Sequence, residues 1–127
     1  MTNAGQPPRG LSERIAFASR NTLRGLTFAL HSEQAFRHEV VLLALALPFG
    51  IVIAPSPAWY VAMIGVLALV LAVELLNTAV EKLADHVTAD PHPQIAVVKD
   101  CGSAAVGILL ALAGLVWLAA LFVRLTG

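Results

Sequence analysis

From Cys101 to Val123 the chain carries no charged side chain. A helix needs about 20 apolar residues to cross a bilayer, and this run meets that length outright. Two further apolar stretches precede it. One runs from Val40 to Ala54. The other runs from Ala58 to Val73 and continues past Glu74 to Val80. Its length suffices only if the polar residues from Glu74 onward are included. Backbone polar groups in hydrocarbon must be satisfied internally, so the expected fold is all-α and membrane-embedded.

Composition agrees. The 127 residues are 58% hydrophobic and 13% charged, with a mean hydropathy of +0.81. Soluble domains usually carry about 25% charged residues. A net charge of zero argues against nucleic-acid binding. The lone Cys101 excludes an intrachain disulfide. No signal-peptide h-region is visible in the first 39 residues.

The first stretch is short and is expected to reach back to Gln34, with Arg37 and His38 at the interface and a kink at Pro48. Pro55-Ser56-Pro57 marks a tight turn, with Ser56 as N-cap and Pro57 at the first helical position. Asp90-Pro91-His92-Pro93 falls in a longer polar loop. The expected layout is one domain, 1–127. It has a tail at 1–11, a surface helix at 12–30 and spans at 34–54, 57–85 and 100–123.

Residues 12–30 read as an amphipathic helix capped by Ser12. Ile15, Ala18, Thr22, Leu26 and Ala29 follow helical spacing, with Leu23 and Leu30 beside them. Arg14, Arg20 and Arg24 supply a basic side for anionic headgroups. A plain membrane anchor and an anchor that also shapes a site both fit this pattern.

Basic residues set the expected orientation. Arg9, Arg14, Arg20, Arg24 and Arg37 precede the first span, and Lys82 and Lys99 bound the second loop. The positive-inside rule therefore places the N-terminus and the 82–100 loop in the cytoplasm. Trp59 and Tyr60 then lie at the outer interface, and every acidic residue and all four histidines fall on the inner half. The chemistry is expected at the cytoplasmic face of the membrane.

The polar residues of the second span form a stripe. Glu74, Asn77, Glu81 and Asp85 are spaced so that their side chains fall within an arc of roughly 80° on a helix. Each charge at mid-membrane costs on the order of 2.5–3.5 kcal/mol, less near the edge, so such a stripe by default marks a functional site. Taken singly, the members have plainer readings. A carboxylate near a helix end can snorkel or pair with Lys82 or Lys99, Asn77 can glue helices together, and Lys99-Asp100 can be a helix-start charge pair.

Depth separates their tasks. Glu74 lies about 24 Å along its span, near the inner edge of the hydrocarbon, and Glu81 lies about 10 Å further toward water. Glu74 is placed to act as general base toward a hydroxyl at the headgroup plane. Glu81 is placed to hold a hard cation such as magnesium, which takes a few carboxylates plus phosphate oxygens. Lys99 can neutralise phosphate charge, and Asp100 can order the cation or the lysine. Together these parts suit phosphoryl transfer from a nucleotide to a lipid alcohol.

Neither a P-loop nor a G-x-G-x-x-G loop is present, and no Cys/His cluster has zinc spacing. Ser103, Gly107 and Ala111 form a small-residue row suited to close helix packing, with Ser103 in reach of a substrate. Two alternatives from other classes are a small proton-coupled transporter, which needs polar groups on both membrane sides, and a non-catalytic scaffold.

The run Glu74-Leu75-Leu76-Asn77-Thr78-Ala79-Val80-Glu81, then Asp85, then Lys99-Asp100-Cys101-Gly102-Ser103-Ala104-Ala105-Val106, resembles the prokaryotic diacylglycerol kinase family. Glu33-Gln34-Ala35-Phe36-Arg37-His38-Glu39 is similar to that family's E-x-x-F-R-x-E signature. The resemblance covers roughly Arg14 to Val123. It implies an inner-membrane homotrimer with a surface helix and three spans that moves the γ-phosphate of ATP onto diacylglycerol, giving phosphatidic acid.

By matching positions it implies Glu74 as catalytic base and Glu33 and Glu81 as magnesium ligands. It also implies Asn77, Asp90, His92, Lys99 and Asp100 as ATP contacts, and Arg14 and Ser103 as contacts to lipid or nucleotide. Some family members carry aromatic residues where this chain has Asn21 and Leu23. Pro91 and Pro93 resemble the undecaprenol kinase branch, whereas Gly102-Ser103-Ala104-Ala105 looks like the diacylglycerol branch. Undecaprenol is therefore the alternative acceptor. A partner subunit would also shield the polar stripe from lipid, which three thin helices hardly can.

Overall fold

The computed structural model describes residues 10–127, so most of the expected tail, including Arg9, lies outside the described residues. Four helices follow in order: α1 (Leu11–Ser32), α2 (Gln34–Ile53), α3 (Pro57–Val87) and α4 (Pro93–Thr126). Helices α2, α3 and α4 are each long and apolar enough to cross a membrane.

Turn chemistry explains most of the boundaries. Ser56 caps α3, accepting from the Trp59 backbone N–H at 3.4 Å, with Pro57 opening the helix. Ser12 is not the cap of α1. The helix starts one residue earlier, behind Gly10, which makes no side-chain cap bond. Helix α2 runs unbroken through Pro48.

The largest departure from expectation is the second loop. The spans at 57–85 and 100–123 leave a long gap between them, yet α3 runs to Val87 and α4 already starts at Pro93. The signal was in the prolines. Pro93 occupies the first turn of α4, and the His92 ring Nδ1 caps that helix by accepting from the Gln94 N–H at 3.2 Å. Lys99 and Asp100 therefore lie inside a helix rather than at its start.

Helix α3 is the hub, packing most extensively against α4 and then α2. Ala46, Val66, Leu67, Val70 and Ala113 form the buried apolar core. Trp117 Nε1–H donates to the Met63 carbonyl at 3.2 Å, tying α4 to α3. The α2–α3 hairpin closes where Tyr60 packs on Gly50, and the Tyr60 hydroxyl donates to the Leu47 carbonyl at 3.1 Å. A Cβ at Gly50 would come within 2.9 Å of the Tyr60 ring, so this contact needs glycine.

The outward faces remain apolar, with Phe49, Ile51, Leu69, Ile108, Leu115 and Phe122 all exposed. Such surfaces suit hydrocarbon rather than water. Helix α1 touches α2 and α3 only lightly, buries Ala29 alone, and exposes Leu11, Ile15, Phe17 and Leu23.

Candidate functional site

The polar stripe of α3 faces protein where it is deepest. Glu74, Asn77 and Thr78 are buried polar residues, and Glu74 is 7% exposed. Further along, Glu81 is half-buried and Asp85 exposed. The stripe thus runs from the packed interior to the helix end, in the order its spacing dictates.

A second element meets this face. The chain breaks its helix at Glu33, which is extended between α1 and α2. Arg37 holds the junction, donating from Nη1 to the carbonyls of Leu30 and His31 at 3.2 and 3.1 Å. Phe36, 1% exposed, anchors it. Glu33 is thereby brought near enough to Glu74 for direct like-charge repulsion, as is Glu81. Glu33 also pairs with Lys82 Nζ at 3.5 Å.

Asn77 ties part of the cluster together. Its Nδ2 donates to Glu81 Oε1 at 3.2 Å, while its Oδ1 is buried without a hydrogen-bond partner. That oxygen is packed against Gly102 of α4. Glu39 is a further member, one with no role assigned from its position in the chain. It repels Glu74, and its Oε2 is likewise buried and unpartnered. Its signal was its position. It is an acid at the head of an apolar stretch, six residues past Glu33.

A second group of polar residues lies at the α3–α4 turn. Asp85, Asp90, His92 and Lys99 line an open cleft of about 490 Å³. Lys99 Nζ donates to Asp85 Oδ1 at 2.5 Å.

The structure thus gathers Glu33, Glu74, Asn77 and Glu81 in one place, and Asp90, His92 and Lys99 in another. Asp100, Ser103 and Arg14 are exposed on their helices and line neither place. Among the described residues no three His, Cys, Asp or Glu side chains are placed to share one metal ion. The carboxylate oxygens of Glu33 and Glu81 are hard donors of the kind magnesium takes.

The fold and this site together define an integral membrane protein with a carboxylate-lined site at one end of its helices. The prokaryotic diacylglycerol kinase family model matches residues 20–121. The diacylglycerol kinase of Haemophilus influenzae is 37% identical over 105 residues, covering 83% of this chain and 89% of that protein. The diacylglycerol kinase of Pseudomonas aeruginosa is 36% identical, covering 83% and 85%. That of Escherichia coli is 35% identical, covering 82% and 85%. The chain belongs to the prokaryotic diacylglycerol kinase family, and it is a lipid kinase.

Proposed function

We propose that the protein transfers the γ-phosphate of ATP to diacylglycerol, giving phosphatidic acid, at the cytoplasmic face of the inner membrane. The observation that carries this reading is a buried Glu74 on the face of α3 that also carries Asn77 and Glu81, with Asn77 Nδ2 donating to Glu81 Oε1 at 3.2 Å and Glu33 held toward the same helix by its ion pair with Lys82.

In this reading Glu74 accepts the proton of the diacylglycerol hydroxyl as its oxygen attacks the γ-phosphorus. The bond from that phosphorus to the bridging oxygen breaks, and ADP leaves. Glu33 and Glu81 would hold a magnesium ion, which would neutralise phosphate charge when bound. Asn77 orients Glu81 through its Nδ2–H, which donates to Glu81 Oε1.

Lys99 meets phosphate oxygens from the cleft shared with Asp90 and His92, with Asp100 nearby. Arg14 and Ser103 contact lipid or nucleotide. Helix α1 lies on the membrane surface with its apolar side down. A homotrimer shields the α3 stripe and brings the two polar groups into one site.

Diacylglycerol is preferred over undecaprenol because the relatives above bear its name. The test offers purified protein in mixed micelles diacylglycerol and undecaprenol separately, with labelled ATP and with or without magnesium. Magnesium-dependent label in phosphatidic acid supports the reading. Label in undecaprenyl phosphate alone, or in neither lipid, defeats it.

A further inference from the structure

We propose that Lys82 is a built-in counter-ion for the Glu33 carboxylate, keeping the site assembled without a divalent cation and yielding when one binds. This rests on the kinase reading, in which Glu33 and Glu81 are the cation's ligands.

Lys82 follows Glu81 on α3, and its side chain reaches across to the end of α1. Its Nζ lies 3.5 Å from Glu33 Oε1 and 5.8 Å from the centre of the Phe28 ring. These contacts join α3 to the last turns of α1 and to the α1–α2 junction, where α1 is otherwise lightly held.

The neighbourhood needs such a charge. Glu33 and Glu81 both repel Glu74, and Glu39 adds to that repulsion. The other cations near this end are committed. Lys99 is bonded to Asp85, and Arg37 is bonded to the last carbonyls of α1. Lys82 alone is engaged with one of the clustered carboxylates by an ion pair among the described residues.

Its hold is also loose enough to release. The Lys82 side chain is 56% exposed, whereas that of Glu33 is 22% exposed. An exposed ammonium on a flexible stem is screened and weakly tethered. A divalent cation at Glu33 repels it, and the Phe28 ring, which the ammonium already overlies while paired, can keep it nearby through a cation–π contact. Lys82 is accordingly a positioning residue that competes with the metal. It supplies positive charge beside Glu33 when no cation is there, and its presence weakens cation binding.

The test uses the full chain in micelles, with Mn²⁺ as probe and a non-hydrolysable ATP analogue, following free Mn²⁺ by electron paramagnetic resonance. Lys82→Met is expected to tighten Mn²⁺ binding about three- to tenfold, the effect of removing one screened charge near a divalent ion. Lys82→Arg keeps the charge and is expected to stay within about twofold of the parent by the same reasoning. Without metal, amide exchange over residues 26–32 is expected to speed up in Lys82→Met and to return toward parent rates when Mn²⁺ is added.

Unchanged or weaker Mn²⁺ binding in Lys82→Met overturns the inference. If the parent meanwhile binds Mn²⁺ and phosphorylates lipid, the kinase reading stands without it. If the parent does neither, both fall together.

Discussion

Asn77 and Gly102 compete for one space, because a Cβ at position 102 would overlap Asn77 Oδ1. The absent side chain lets α4 approach α3 at the depth of the carboxylates. The same approach sets Lys99, one turn earlier on α4, opposite Asp85 on α3. One glycine therefore fixes the alignment of both polar groups, and the small-residue packing of α4 acquires a functional consequence.

Gly102→Ala should show this directly. The added methyl displaces Asn77 or parts the helices, and overpacking of this kind costs about 1–3 kcal/mol. Thermal unfolding in detergent should move down accordingly. Phosphoryl transfer should fall by about tenfold or more, since misplacing a catalytic arrangement by about 1 Å can cost on the order of a hundredfold. Ser103→Ala, at an exposed neighbour, is the control and should unfold like the parent.

Glu74→Gln keeps the shape of the side chain and removes the base. A positioned general base contributes about 10²–10⁴-fold, so kcat should drop by that order while the melting temperature holds or rises. A rise is reasonable because Glu74 faces repulsion from Glu81, Glu33 and Glu39. Retained turnover near the parent rate would remove Glu74 from the reaction.

Much of this arrangement was legible in the sequence, for a physical reason. The 3.6-residue period of α3 dictates that Glu74, Asn77 and Glu81 share a face, so their grouping needed no tertiary knowledge. Ser56 and Pro57 announced a helix start through local chemistry alone. What failed was judged by polarity instead of by geometry. Residues 88–100 look like loop, yet from Pro93 onward they continue a helix that begins outside the apolar stretch. Glu39 had no role because its partner, Glu74, is far away in sequence, and only packing of α2 on α3 brings them together. Gly102 against Asn77 is a contact of the same kind.

Trp117 gives a test of the scaffold apart from the site. Its indole N–H bonds the Met63 carbonyl at 3.2 Å near the α3–α4 core. Trp117→Phe removes the donor and leaves a carbonyl with one partner fewer. The expected cost is about 0.5–1.5 kcal/mol, read as a lower unfolding midpoint. The affinity for ATP should not change, since the Asp85–Lys99 cleft lies at the opposite end of these helices.

The last prediction concerns the cleft at the α3–α4 turn, where Lys99 has two partners to choose between. In the free protein it donates to Asp85, which is itself exposed. If Lys99 serves ATP, the pair opens on binding, and the two residues must respond differently to substitution. Lys99→Gln removes a charge-assisted contact to phosphate and should raise the apparent KM for ATP about tenfold. Asp85→Asn frees the ammonium from its competitor. It should therefore leave that KM unchanged or lower it, so long as the asparagine still orients Lys99. Steady-state kinetics over a range of ATP at fixed lipid separates the cases. If both substitutions raise KM alike, the pair acts as one rigid unit, and Lys99 does not move to phosphate.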